Sequence, residues 1–337
     1  MNHEDFKPRL VLVTGANGLL GSNIVRELNK RGIPVRILVR ESANMKGLEG
    51  TDFELIKGGI LDEQTVDRAV DGCDVVIHAA ANTGPVPNRK SYYRPVNVTA
   101  TGYVVRACVT HGVKRLVHIS TSNTIGYGSR AHPADELQPI TPLFRHSGYA
   151  ATKLEGEQLV LEAVRTNGLN AIILNPTFLI GPGDSKPSSG RILLLYRKEK
   201  RAVISRGGKN FVDVRDVAFA ACEAIHQGKR GERYLVCNEN MTYQQFLTLA
   251  NEVNGIRQKF VLVPRGLFCV AGLIGSVIEF FHPFFGFNFT FARILSIRNY
   301  YTPWKAIKEL NLPQTPIRDS IRDAMQWFST HGYLDRH

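Results

Sequence analysis

The chain has 337 residues, 43% hydrophobic and 21% charged, the balance of an ordinary water-soluble globular protein with one large domain or two modest ones. Five widely spaced cysteines, and ten histidines with no HxxxH or HExxH spacing, speak against a disulfide framework and predict no metal site. The net charge of +12 is dispersed apart from Arg197-Lys-Glu-Lys-Arg201, with no helix-turn-helix signal and no aromatic-basic interleaving, so nucleic acid is not the expected partner. The polar segment Met1–Arg9 lacks the apolar core of a signal peptide, and a cytoplasmic protein is expected.

The aliphatic run Leu10–Val13 predicts a strand buried on both faces. Thr14, Gly15, Gly18 and Gly21 follow, and Leu19, Leu20, Ile24, Val25 and Leu28 recur at helical spacing. Strand, glycine turn and helix together aim helix-terminal N–H groups at a phosphate. Gly15 allows the turn, Gly18 lets a pyrophosphate approach, and Gly21 lets helix and strand pack closely. Asn17, Leu19 and Leu20 complete this loop, which is expected to bind a dinucleotide. Helix Ser22–Arg31 leads to strands at 34–39 and 53–56, a helix capped by Asp62, and a strand at 74–77 that runs into Ala79, Ala80 and Ala81. A helix over Val96–His111, a strand at 116–119 ending in Ser120-Thr-Ser122, a helix over Tyr149–Arg165 and a strand at 171–174 complete the alternation. This pattern predicts an α/β, Rossmann-type doubly wound parallel sheet.

After Pro176 the rhythm changes. The Gly/Pro/Ser loop at 181–190 marks a boundary. Phe211–Asp216 precedes a helix at 217–226, and Arg233–Val236 reads as one more strand of the sheet. The expected division is a dinucleotide-binding domain over 1–175 plus about 208–238, and a smaller, mostly helical substrate domain over about 176–207 plus 239–337. Within the latter, 266–291 is the most apolar stretch, with Phe268, Phe280, Phe281, Phe284, Phe285, Phe287, Phe289 and Phe291. Its uncharged run is too short to span a bilayer. Leu267, Ala271, Ile274, Ile278 and Phe281 form one stripe at helical spacing, which predicts a core-facing helix. An apolar substrate lid or a peripheral membrane contact through 266–291 is the sharper reading.

Tyr149 and Lys153 are four apart at the start of a helix and share a face. A neighbouring ammonium favours the phenolate, so the pair can serve as a tuned general acid/base. The glycine loop, Ala79–Ala81, Ser122 and Asn175-Pro176 all lie at carboxyl ends of strands, where open parallel sheets bind ligands. No packing argument explains that gathering.

These motifs, with Asn97-Val-Thr-Ala-Thr101, Tyr149-Ala-Ala-Thr-Lys153 and Gly181-Pro-Gly-Asp184, closely resemble those of the extended short-chain dehydrogenases/reductases, the NAD-dependent epimerase/dehydratase family. The resemblance implies Tyr149 as acid/base, Lys153 lowering its pKa and holding the nicotinamide ribose, and Ser122 bonding the reacting oxygen, with Thr121 as its substitute. It implies cofactor contacts at Asn97 and Ser120, and at Pro176, Thr177 and Phe178 along the nicotinamide. Relatives often carry Asp after the third strand for the adenine; Gly59 stands there, which leaves backbone around Ile60 and Leu61. Relatives with Arg-Pro before the nicotinamide contrast with Asn175-Pro176. At the end of the second strand an arginine accommodates a 2′-phosphate and an acid binds a free ribose hydroxyl. Arg40 favours NADP(H), while Glu41 next to it leaves NAD(H) open.

The C-terminal half resembles the 3β-hydroxysteroid dehydrogenase and dihydroflavonol-4-reductase branch through 266–291, Tyr300-Tyr301, Trp304-Lys305-Ala306 and Ala324-Met-Gln-Trp-Phe328. That implies hydride transfer between NADP(H) and a ketone or secondary alcohol on a bulky, fairly apolar small molecule. The alternative is a nucleotide-sugar epimerase or dehydratase with tightly held cofactor; Asn123-Thr124 after Ser122, where dehydratases carry Asp-Glu, speaks against dehydration. A cofactor sensor without chemistry is a third reading. The resemblance also implies a homodimer through the helices at 96–111 and 149–165.

Overall fold

Strand and helix alternate from the start of the chain in the computed structural model, which describes residues 6–84, 88–197, 200–282 and 286–334. The order is β1 (Val11–Thr14), α1 (Leu19–Lys30), β2 (Val35–Val39), β3 (Glu54–Lys57), α2 (Glu63–Val70) and β4 (Val75–His78). Next come α3 (Lys90–Arg94) and α4 (Ala100–Thr110), joined by a π-helical turn at Pro95–Thr99, then β5 (Arg115–Ile119), α5 (Pro142–Arg145), α6 (Gly148–Thr166) and β6 (Ala171–Pro176). The second part holds β7 (Phe178–Ile180), α7 (Arg191–Tyr196), β8 (Arg201–Ser205), β9 (Gly208–Asp213), α8 (Val214–Glu223), β10 (Arg233–Val236) and β11 (Glu239–Thr242). It ends with α9 (Tyr243–Asn254), β12 (Lys259–Val263), α10 (Arg265–Phe281), α11 (Phe289–Leu295), β13 (Arg298–Asn299), α12 (Trp304–Leu310) and α13 (Ile317–Thr330).

The expected Rossmann-type sheet is present. Seven strands lie in the order β10-β6-β5-β4-β1-β2-β3, all parallel. Strands β1, β4, β5 and β6 are buried at every position because helices cover both faces. One core layer joins α1 and α8 to the sheet through Leu28, Ile24 and Val217. The other joins α2, α4 and α6 through Val66, Val104 and Val160. The strand order reverses between β1 and β4, which opens a crevice beyond their carboxyl ends.

The second part is mostly helical, as expected, with short strands beside the helices. Gly208–Asp213, assigned from sequence to the dinucleotide unit, pairs outside its sheet: with β7 and β13 in parallel and β11 antiparallel. Strands β8 and β12 form a separate parallel ladder. These strands are short and pair across long sequence separations, so their periodicity is weak; β8, with Val203 and Ile204, and β12, with Val261 and Val263, carry two β-branched residues each. Phe284 and Phe285, Lys198 and Glu199 of the basic run, and residues 1–5 lie outside the described residues.

The apolar stripe of α10 is also a correction. It does not face a core: Leu267, Ala271, Ile274 and Phe281 are exposed, and Gly272 and Gly275 are the buried residues of that helix. A Cβ at Gly272 would stand 2.5 Å from the Ala292 Cβ, and one at Gly275 1.9 Å from the Phe287 carbonyl oxygen. The helix therefore docks through its glycine side, and the bulky side is left outward. Among the described residues no helix is long and apolar enough to cross a membrane.

Candidate active site

The glycine loop forms a cradle at the crevice. Gly15 sits at φ +69°, and a Cβ there would lie 2.7 Å from the Ala80 backbone. Ala79 and Ala80 thus cross directly over the turn, with Ala81 following. At Gly21 a Cβ would meet the Gly15 carbonyl oxygen at 2.2 Å, so α1 seats against the turn only through glycine. Gly18 differs: a Cβ would approach only that same oxygen, at 3.3 Å, and its outer side is clear for a ligand. Helix α1 begins at Leu19, earlier than the expected Ser22, with Gly18 as its N-cap. No side chain caps it and no acid stands in its first turn. Its first N–H groups, from Leu19 onward, are left to an anion. Asn17 braces the loop's outer wall with an amide 3.4 Å from the Asn44 carbonyl.

A hydrogen-bond chain stiffens the floor. Thr14, His78 and His118 stand in register on β1, β4 and β5. Burial pushes His78 down to about 3, so its ring is neutral. The Thr14 hydroxyl donates to His78 Nδ1 at 2.7 Å, His78 Nε2–H to Thr101 Oγ1 at 3.1 Å, and the Thr101 hydroxyl to the Asn97 carbonyl at 3.0 Å. This tautomer follows from the chain of donors. Asn97 has its amide engaged by Asn82 and Thr152, and so shapes the loop after β4. The residues fit a dinucleotide: besides the uncapped helix and the clear Gly18 face, the buried Ser120 hydroxyl has no partner among the described residues.

At the adenine end, Arg40 follows β2 and is exposed, and Glu41 pairs with Lys57 at 3.5 Å. Arg36 is consumed by Glu54 and the Ala69 and Asp71 carbonyls. The turn after β3 places Ile60 half-buried and Leu61 exposed, and Asp62 caps α2 through the Gln64 N–H at 3.2 Å.

Tyr149 and Lys153 lie on the first turns of α6, whose N-cap is Ser147. Sequence suggested that the ammonium lowers the phenol pKa. Instead, burial raises Tyr149 above the ordinary phenol value, and the opposing pull is a hydrogen bond with the Thr121 side chain. Lys153 is buried and donates to the Ile119 carbonyl at 2.7 Å, and its burial lowers it to about 8. The Thr121 side chain is thus close enough to act on the phenol, and Ser122 is met at its carbonyl by the Tyr301 hydroxyl at 3.3 Å. The backbone turns into a 3-10 helix right after Thr121, whose side chain caps it by accepting from the Asn123 N–H.

Asn175 explains its departure from Arg. Its amide donates toward the Thr121 carbonyl at 3.1 Å, Thr124 Oγ1 at 3.0 Å and Glu157 Oε1 at 2.7 Å. Glu157, fully buried, also faces Arg233 Nε at 3.1 Å. Sequence reasoning missed Glu157, although Tyr149, Lys153 and Glu157 recur every four residues on one helical face. It also missed Tyr93, whose ring lies 6.1 Å from that of Tyr149. Pro176 ends β6, Thr177 donates to Asn210 Oδ1 at 2.7 Å, and Phe178 lies edge-on to Phe211. Beside them Lys209 Nζ lies 5.1 Å from the Phe178 ring centroid, without an acidic partner among the described residues, and burial lowers it to about 8. Its register neighbour Asn299 is buried with neither amide end hydrogen-bonded there. Helix α10 reaches this rim through Glu279, which accepts from the Asn88 N–H at 3.0 Å; Asn88 in turn accepts from the Gly148 N–H at 2.7 Å.

Residues 11–237 match the NAD dependent epimerase/dehydratase family. Over 330 residues, 96% of this chain and 99% of the relative, the sequence is 32% identical to sterol demethylase protein B of Methylococcus capsulatus. It is 32% identical, over 75% of each chain, to 4-hydroxy-2-methyl-3-oxo-4-farnesyl-3,4-dihydroquinoline-1-oxide ketoreductase of Stigmatella aurantiaca. The crystal structure of gox2253 superposes with a TM-score of 0.84 at 29% identity, covering 97% of this chain and 99% of that one.

Proposed function

The chain belongs to the NAD dependent epimerase/dehydratase family, as an extended short-chain NAD(P)-dependent oxidoreductase, and from that premise we propose that it interconverts a ketone and a secondary alcohol on a bulky, fairly apolar, steroid- or dihydroflavonol-like molecule with NADP(H). The observation that carries this reading is the Tyr149–Lys153 pair on the first turns of α6, with the buried Lys153 ammonium bonded to the Ile119 carbonyl at the carboxyl end of β5. The relatives' names, a sterol demethylase protein and a ketoreductase of a farnesylated ring, support a large apolar ketone. Exposed Arg40, with Glu41 engaged by Lys57, supports the 2′-phosphate.

Bound NADP(H) supplies or accepts the hydride. In reduction, Tyr149 gives its proton to the substrate oxygen, and its raised pKa keeps that proton in place until needed. Thr121 holds the same oxygen by hydrogen bonding and fixes the phenol's direction. Lys153 balances the phenolate that forms, and Asn175 with Glu157 holds the Thr121 turn against α6.

The test is NADPH consumption with a panel of steroid- and flavonoid-type ketones. Net oxidation is expected; turnover of a nucleotide sugar with no net cofactor change would overturn the reading. In Tyr149→Phe, kcat is expected to fall about 10²–10⁴-fold with NADPH binding retained. Full activity in that variant would sink the acid/base assignment. Thr121→Ala is expected to lose more activity than Ser122→Ala.

A further inference from the structure

Helix α10 is amphipathic the wrong way round for a helix in water. Beyond Arg265 at its start, its polar side chains face the protein: Ser276 Oγ accepts from the Phe289 N–H at 2.9 Å, and Glu279 binds the Asn88 N–H and the Asn288 amide. Its bulky apolar groups face out. Leu267, Val270, Leu273, Ile274, Val277 and Phe280 are each more than half exposed, and Phe280 is 74% exposed. The helix has 17 residues and so presents an apolar ridge about 25 Å long. Val261 on β12 and Val203 on β8, paired in register, add exposed apolar surface beside its start. Continuous exposed patches of this kind mark an interaction site rather than scattered surface residues.

The charges around the ridge have one sign. Between residues 256 and 300 the cations are Arg257, Lys259, Arg265, Arg293 and Arg298, and the single acid is Glu279, which is turned inward. Arg257, Lys259 and Arg265 are exposed at the start of the helix; Arg89 is exposed beyond its other end, next to the Asn88 that Glu279 binds. A second copy laid antiparallel on this ridge would set cations against cations, with no acid between residues 256 and 300 to pair them except the inward Glu279. An anionic surface meets both ends favourably.

We propose that α10 is a monotopic membrane-docking helix, which seats its outward ridge in the interface of a bilayer carrying anionic headgroups. It lies on the membrane and does not span it. The docked ridge is tied through Glu279, Asn88 and Gly148 to the start of α6, so the membrane surface comes to the rim beside Tyr149. The inference stands on the surface alone and does not depend on which ketone is reduced.

The test is flotation of the full chain with vesicles of phosphatidylcholine alone and of phosphatidylcholine mixed with phosphatidylglycerol. The wild-type chain is expected to float with the mixed vesicles and much less with the neutral ones. The double variant Ile274→Glu/Val277→Glu, altered only at exposed positions, is expected to lose at least about 10-fold in partitioning, with melting temperature and NADPH binding unchanged. No flotation of the wild type, or equal flotation of variant and wild type, would overturn the proposal. Equal flotation on both vesicle types would overturn its anionic part. A wild-type dimer in ultracentrifugation that the double variant turns into monomer, without vesicle binding, would assign the ridge to a second copy and overturn it too.

Discussion

Gly21 and Gly275, each three residues after another glycine, solve the same steric problem with opposite consequences. Gly21 brings α1 within reach of the Gly15 carbonyl, and Gly275 brings α10 onto the Phe287 carbonyl. In the first case close packing hides an apolar helix face and leaves uncapped N–H groups for an anion. In the second it hides a helix's few polar groups and leaves apolar side chains in the open. Such a glycine therefore says that something comes close; what stands on the other faces of the helix decides what the approach is for.

The largest effect that would break this comparison is expected at the cradle. Gly21→Val drives side-chain carbons into backbone atoms that cannot move aside. NADPH affinity is expected to fall at least ~100-fold, about 2.7 kcal/mol, by fluorescence titration. Unchanged affinity would mean that the cradle does not hold the pyrophosphate. Gly275→Val is the matched change in α10. It is expected to cost about 1–3 kcal/mol and lower the melting temperature by several degrees, with the NADPH Kd unaltered. A loss of cofactor binding there would show that the two regions are coupled, and the contrast drawn between them would fail.

Arg40→Ala sharpens the cradle's side of the comparison. NADPH binding is expected to weaken about 10-fold, near 1.4 kcal/mol, and NADH binding to stay put. Equal weakening of both cofactors would remove the 2′-phosphate role.

The smallest effect is in pH. Lys153 and Lys209 are lowered by burial to about 8 from an ordinary 10.5. Above pH 8 the unfolded chain holds protons that the folded one has lost, so both lysines raise stability as pH climbs from 8 toward 9, by about 1 kcal/mol per group at most. Above 9 the buried thiols of Cys73, Cys108, Cys222 and Cys237, all raised by burial, act with the opposite sign. Reductase activity is expected to fall above pH 8, because Lys153 loses the charge that balances the phenolate. Rate profiles beside thermal melts separate the two: activity that falls only together with the melting temperature would refute a titrating Lys153.

What was legible in the sequence was what short-range periodicity writes. The alternation of buried strands and amphipathic helices gave the parallel sheet, the three glycines gave the turn, and a spacing of four put Tyr149 and Lys153 on one face. Asp62 was readable as a cap because capping is local. The same rule would have found Glu157, one more step of four along the helix.

The sequence by itself determined the sheet, the cradle and the Tyr149–Lys153 pair, because each is set by residues within a helical turn or a strand of one another. Only the tertiary structure brought the Thr121 side chain to the phenol, since where a loop hydroxyl lies depends on the backbone's path after β5 and on where Asn175 pulls it. It also decided that burial holds the Tyr149 phenol above its ordinary value, because desolvation depends on everything packed around the ring. And it turned the apolar stripe of α10 outward. The stripe alone does not say whether it meets a core or the outside; its orientation came from the closeness that Gly272 and Gly275 allow to a segment 12 to 20 residues further on.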